Sequence, residues 1–401
     1  MTETSGGALA GLKVVDLSRV LGGPLCTQLL GDHGAEVIKV EPPQGDETRT
    51  WGPPFRDGEA AYFIGINRNK RSIGLDLAHP QGRAVVLKLL ENADVVIENF
   101  KTGRMERWGL GYHEVLAPKF PRLVYCRISG FGADGPLGGL PGYDGVAQAL
   151  SGLMSVNGPP ASGAVRVGVA VVDQATGYMA AFAIMAALFE RSSSGRGQFI
   201  ETTLYDNGVA LVHPQNANWF MTGKTPALTG NSHPNVAPYD RYETRTRPIF
   251  LAALNNGQFR RLCAKLGRPA VGEDPRFRDN ADRVANRAVL DAALIPLFAA
   301  AAGEDVYMDL LEFGVPAATI NDVPAVLEHP HTRHRAMVIE TDGYRGTGFP
   351  AKLGRTPASL RRLPPAFSGS GREILAEAGY SQAEIEALAA DGVLVEKRRA
   401  T

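Results

Sequence analysis

The chain predicts an α/β fold: a Rossmann-like large domain with a parallel sheet formed by both chain ends, plus a smaller inserted α+β domain. Three observations predict the layered part of it. Strand-length apolar runs alternate with helix-length segments over the first half of the chain, two of those helices open on a proline, and 401 residues with 44% apolar content can bury a large core in two domains.

Residues 13–17 read as a buried strand, 24–33 as a helix opened by Pro24, and 36–41 as a second strand, which makes a βαβ unit. A second unit follows with strand 72–77, helix 81–91 after Pro80 and strand 94–98. Strand 122–128 runs into a Gly/Pro-rich segment, 129–142. The helix at 174–191 leads to strand 198–204 and then to a polar connection, 213–238. Two short strands at 239–254, helices near 258–266, 283–300 and 304–313, short strands beyond Pro316, and helices at 373–378 and 382–390 complete the reading. Alternation of this kind implies parallel strands with helices on both faces.

Composition excludes several classes of function. Forty-two basic and forty-two acidic residues give no net charge, so neither nucleic acid nor an anionic membrane is an expected partner. The first residues lack a basic start and an apolar run, which argues against a secretory signal. The apolar stretch 178–189 is too short to span a bilayer and reads as a buried helix. Cys26, Cys126 and Cys263 are scattered and odd in number, as expected of a reducing cytoplasm, and no metal site is expected. The histidines at 329, 331 and 334 look like a cluster, but Pro330 interrupts them and no further ligand stands nearby, so an exposed loop leading into a strand is the expectation.

Residues 130–135 spell G-x-G-x-x-G after a strand, yet Pro136, Gly138, Gly139 and Pro141 follow where a dinucleotide site needs a helix. Glu41, ending the second strand, imitates a ribose-binding acid and keeps a nicotinamide-dependent oxidoreductase among the alternatives. No P-loop occurs. Arg104 and Arg107 share one face of a short helix beside the strand end Glu98-Asn99-Phe100, a placement that suits phosphate or a solvated surface. Asp173 stands alone between apolar runs at the start of a long uncharged helix. A carboxylate there is either an N-cap or a group held ionised by backbone amides and the helix dipole, hence a ready nucleophile.

Ordered blocks decide between these readings: VVDLSRVLGGP at 14–24, GAEVIKVE at 34–41, NKRSI at 69–73, ENF at 98–100, SGFGADGP at 129–136, PGYDGVAQALSG at 141–152 and SGRGQFIETTLYD at 194–206. With them the chain resembles the class III CoA-transferase family, which includes formyl-CoA and succinyl-CoA-type transferases and has the 2-methylacyl-CoA racemases as close relatives. The resemblance implies a large domain made from both chain ends (1–222 and 326–401), an inserted domain at 223–325, and an interlocked homodimer. It implies acyl-CoA and carboxylic acid substrates, with no permanently bound cofactor.

It also implies that Asp173, with an ordinary pKa near about 4, attacks the donor thioester to give an aspartyl anhydride and then an aspartyl-CoA thioester. Lys70, Arg71, Asn99, Phe100, Arg104 and Arg107 fall in segments that bind coenzyme A, and Pro42 replaces a basic residue that many relatives carry there. Racemases use a His where this chain has Tyr143, so transfer is expected over racemisation, with Tyr143 orienting the substrate or the Asp173 adduct. Asn255, Asn256, Gly257 and Gln258 match a mobile loop over the active site, the alternative being a strand-to-helix turn with an Asn cap. Leu21 stands where formyl-CoA transferases carry Gln. This, with Asn255-Asn256 and residues 230–235, leans toward a short dicarboxylic acid acceptor. Arg19 is a candidate for its second carboxylate, or a structural residue ending the first strand.

Overall fold

The computed structural model describes residues 6–341 and 343–399. The chain forms two compact units: one takes the chain up to Ser151, Gly168–Leu211 and everything from His334, the other Gly152–Val167 and Val212–Arg333.

The first unit begins with strand β1 (Lys13–Asp16), helix α1 (Gly22–Asp32) and strand β2 (Glu36–Glu41). Strand β3 (Lys70–Gly74), helix α2 (Pro80–Leu90) and strand β4 (Val95–Glu98) follow, then the single-turn helix α3 (Arg104–Arg107) and strand β5 (Val124–Ser129). Helix α4 (Asp144–Leu150), the long helix α5 (Val171–Ser194), strand β6 (Phe199–Thr203) and helix α6 (Leu204–Leu211) complete this stretch. The six strands make one parallel sheet in the order β3-β2-β1-β4-β5-β6. The order reverses between β1 and β4, and in such sheets the crevice at the strands' carboxyl ends beside that reversal is where ligands bind.

Side-chain alternation splits the two faces. Val14, Val95, Ile97, Val124 and Cys126 pack with Cys26 and Leu30 of α1 and Ala180, Ile184 and Ala187 of α5. Val15, Val96 and Tyr125 point the other way, into a core with Val85, Val86 and Leu89 of α2. Crossing of α1 and α5 is close enough that a Cβ on Gly177 would lie 2.7 Å from the Gly22 carbonyl oxygen, so the absence of a side chain there sets the packing.

The second unit has its own core and a three-stranded antiparallel sheet of β7 (Tyr239–Tyr242), β8 (Ile249–Ala252) and β9 (Ala317–Thr319), with helices α7 (Asn256–Lys265), α8 (Arg287–Ala299) and α9 (Gly303–Glu312). Back in the first unit, β10 (Val338–Thr341) and β11 (Tyr344–Thr347) form a hairpin, and α10 (Gly371–Glu377) and α11 (Gln382–Ala390) end the fold.

Three expectations are corrected. Among the described residues the C-terminal end contributes no strand to the parallel sheet; it covers one face with Ile374, Leu375, Ile385 and Leu388 and makes an isolated bridge, Leu394 to Leu75. Residues 330–334 form a short helix rather than a loop, because a proline is tolerated at a first helical position. Finally, α5 is neither short nor buried. It runs 24 residues, long and apolar enough by composition to cross a membrane, and only its sheet-facing side is covered. Tyr178, Phe182, Met185 and Phe189, spaced along one stripe, are exposed.

Candidate functional site

A cavity of about 450 Å³ opens at the carboxyl ends of the strands, at the point where their order reverses. The turn after β1 (Arg19 to Gly22), the segment after β4 (Asn99 to Thr102), the end of β5 with the glycine-rich loop, the start of α6, Glu47, Tyr143 and Asp173 line it. It is the size of an ordinary small-molecule site. The G-x-G-x-x-G segment supplies a turn and no helix, and a Cβ on Gly130 would fall 2.8 Å from Gly142.

The turn after β1 is held from below. Asp16 accepts hydrogen bonds from the Ser18 amide at 2.9 Å, from the Ser18 and Thr27 hydroxyls, and from the Lys70 ammonium at 3.1 Å, all fully buried. Burial alone would raise this carboxyl, but Lys70, Lys39 and the two hydroxyls outweigh it and hold Asp16 at about 2. Lys39 donates to the Ser18 carbonyl at 2.8 Å and pairs with Asp46 at 2.9 Å. Above this network Asn99 clasps Arg19 from both sides, its side chain accepting from the Arg19 amide at 2.9 Å and donating to its carbonyl at 2.7 Å. Val20 is thereby kept at φ 70°, a left-handed conformation that costs a β-branched residue about 1–3 kcal/mol and persists where surroundings impose it.

Asp173 lies in the first turn of α5, whose N-cap is Ala170. The group that caps the helix is Asp144, from α4: its Oδ1 accepts from the amides of Val172 at 2.8 Å and Asp173 at 3.1 Å, while Gln148 donates to its Oδ2. Among the described residues no hydrogen bond or ion pair reaches the Asp173 carboxylate. Burial first, then the charge of Asp144, push its carboxyl from 3.8 up to about 7. The expectation of an ordinary carboxyl near 4 is therefore corrected: burial and the Asp144 charge raise it, and the Val172 and Asp173 amides that could have offset them bond Asp144 instead.

Of the other expected residues, Arg19, Leu21, Asn99, Phe100 and Tyr143 line the same cavity as Asp173. Tyr143 is 58% exposed. Arg104 and Arg107 are exposed on α3, which begins two residues beyond the lining residue Thr102, with the Arg104 guanidinium 5.3 Å from the Trp108 ring. Lys70 and Arg71 are not in the cavity. Lys70 spends its three donors on Asp16, the Pro24 carbonyl and Asn67, and Arg71 is ion-paired to Glu36, Glu373 and Glu377.

Asn255, Asn256, Gly257 and Gln258 lie in the second unit and form a capped helix start rather than an open loop. Asn255 accepts from the Gln258 amide at 2.9 Å, Gln258 accepts from the Leu254 amide, and Arg283 donates to Asn256. Glu41 does not await a ribose either; Arg49 grips it with two donors, and Ser72 and the Asp46 amide complete its shell.

Sequence reasoning missed Asp144, Glu47 and the pair Trp51 and Tyr62. Tyr62 meets Trp51 edge-on at 5.3 Å, and burial, then the carboxylates of Asp173 and Asp144, push its phenol up to about 12.

A family model for CoA-transferase family III matches residues 9–370. The chain belongs to that family. It is 40% identical to the succinate–glutarate CoA-transferase of Agrobacterium fabrum, over 92% of this chain and 95% of that protein. To the succinyl-CoA:glutarate CoA-transferase of Mus musculus it is 38% identical, over 96% of this chain and 90% of the relative. A solved CAIB/BAIF family protein from Brucella suis superposes with a TM-score of 0.83 at 41% identity, over 93% of this chain and 99% of that one. The protein is thus a CoA-transferase, and the nicotinamide-dependent reading falls away with its missing helix and its occupied glutamate.

Proposed function

We propose that this CoA-transferase moves CoA from a succinyl-CoA-type donor to a short dicarboxylic acid through covalent intermediates on Asp173. The observation that carries the reading is an unpaired, half-buried carboxylate with its pKa near 7, in a cavity at the reversal point of a parallel sheet. A carboxylate made more basic by its surroundings is a stronger nucleophile once ionised.

The ionised Asp173 oxygen adds to the donor thioester carbonyl, and the C–S bond breaks to give an aspartyl-acyl anhydride and CoA thiolate. The thiolate then attacks the aspartyl carbonyl and releases the donor acid, leaving an aspartyl-CoA thioester. An acceptor carboxylate reverses both steps, regenerating Asp173. The start of α1, which has no side-chain cap and lines the cavity, supplies amides and a positive field for the oxyanions. Tyr143 orients the acyl group by its hydroxyl, while Arg104 and Arg107, with Lys101, meet CoA phosphates.

The glutarate-directed relatives support the dicarboxylate. The exposed stripe of α5, with Val146 and Leu150 of α4 and Val209 of α6 on helices packed against it, supports burial in an interlocked homodimer. Three unpaired buried thiols suit a cytoplasmic setting. Protein incubated with succinyl-CoA, quenched with hydroxylamine or borohydride and mapped by mass spectrometry should carry modification on Asp173 alone. Deuterium wash-in at the α-carbon of a 2-methylacyl-CoA, with no transfer to any acid, would instead make it a racemase.

A further inference from the structure

Arg19 is the fixed cation of the cavity. Its backbone is clasped by Asn99, the next residue is held in a left-handed turn, and its guanidinium lies 5.7 Å from the Phe100 ring. Among the described residues only one arm of its fork is used: Nη1 donates to Glu47 Oε1 at 2.7 Å, whereas Nε is buried and has no partner there. Glu47 is the looser member. It sits on a single 3-10 turn (Glu47–Thr50), its side chain is 42% exposed, and it too lines the cavity. An ion pair this exposed is weak and readily exchanged.

Resting on the dicarboxylate reading above, we infer that Glu47 is an internal stand-in for the distal carboxylate of the acceptor acid and thereby moderates the preference for dicarboxylic over monocarboxylic acceptors that Arg19 confers. In the free enzyme Glu47 neutralises Arg19. A dicarboxylic acid whose first carboxylate reaches the aspartyl thioester offers a second to Arg19, taking both arms of the fork and releasing Glu47 to solvent. A monocarboxylic acid has nothing to offer, leaves the Arg19–Glu47 pair closed, and places an apolar end against it. Glu47 thus lowers affinity for the true acceptor while keeping an uncompensated cation from being left beside the wrong one.

The test is the ratio of kcat/KM for glutarate to that for pentanoate, with succinyl-CoA as donor. Glu47→Gln should raise the ratio roughly 5–20-fold, through a lower KM for glutarate, because competition for Arg19 is removed. Arg19→Gln should lower it at least about tenfold, and Arg19→Lys should fall between, keeping charge without the fork. Should an Arg19 variant fail to fold, Glu47→Gln decides alone. A Glu47→Gln enzyme that still forms the Asp173 adduct but changes both acceptors equally, or favours pentanoate, overturns the gate and leaves the transferase reading standing. Absence of the adduct in the unaltered protein overturns that reading, and this inference with it.

Discussion

Two aspartates of the parallel-sheet unit stand in opposite circumstances. Asp16, ending β1, is fully buried, receives hydrogen bonds from hydroxyls, an amide and an ammonium group, and is held at about 2. Asp173, in the first turn of α5, is half-buried, has lost the helix amides to Asp144, and sits near 7. Burial raises both carboxyls; what separates them is whether compensating charge was brought along. Asp16 fixes the turn that forms the cavity. Asp173 is left with its basicity unspent.

The sharpest break is an exchange of each for its amide. Asp173→Asn should lower transfer by about 10⁴-fold or more, since no other group can form the anhydride, and should stabilise the fold by about 1–3 kcal/mol at pH 8 after allowance for solvent screening. Asp16→Asn should do the reverse in kind, costing about 3–5 kcal/mol by leaving the Lys70 ammonium buried without its anion. Urea unfolding at pH 8 and single-turnover rates check both. If Asp16→Asn is as stable as the parent protein, the contrast is wrong.

The two groups also predict opposite pH dependences. Asp16, with its folded value below the unfolded one, contributes stability that is present above pH 4 and lost as pH falls from about 4 to 2. Asp173, with its folded value raised, contributes stability that is full below pH 4 and lost as pH rises toward 7. Unfolding free energies across pH 4 to 7 should decline in the parent and lose that component in Asp173→Asn.

Much of the sheet was legible because strand-length apolar runs and proline-opened helices are local signals, and β1, α1, β2, α2 and β4 lie within a few residues of their expected ranges. The two C-terminal helices were legible as well, expected at 373–378 and 382–390 and found as α10 and α11; what was not legible is that this end covers the sheet with Leu375 and Leu388 instead of adding a strand to it, because long-range pairing settles which segment joins a sheet. Asp173 stood out by its isolation, but its basicity did not. That property depends first on burial and then on the charge of Asp144, 29 residues upstream and capping the helix, and neither kind of long-range contact follows a spacing rule. Lys70 and Arg71 were misplaced for a related reason. A basic residue in a strand points to one face or the other, and the faces here hold Asp16 and the α10 glutamates rather than solvent.

A finer test lies in the cap itself. Asp144→Asn keeps an oxygen for the Val172 and Asp173 amides but removes the charge that raises Asp173. The acid limb of kcat/KM, expected near pH 7 in the parent because the nucleophile must be ionised, should move to lower pH. It should stay above pH 4, since burial is the larger cause and is untouched. An unmoved limb would assign the raised value to burial alone.

The smallest effect concerns Tyr143, which shares the cavity with Asp173 but is exposed and adds no charge. A single neutral hydrogen bond to the substrate or to the aspartyl adduct is worth about 0.5–1.5 kcal/mol, so Tyr143→Phe should lower kcat/KM by about 2–12-fold with the limb near pH 7 unmoved. A loss approaching that of Asp173→Asn would mean that the phenol takes part in bond making. The division between one reactive carboxylate and neighbours that only position it would then have to be redrawn around both residues.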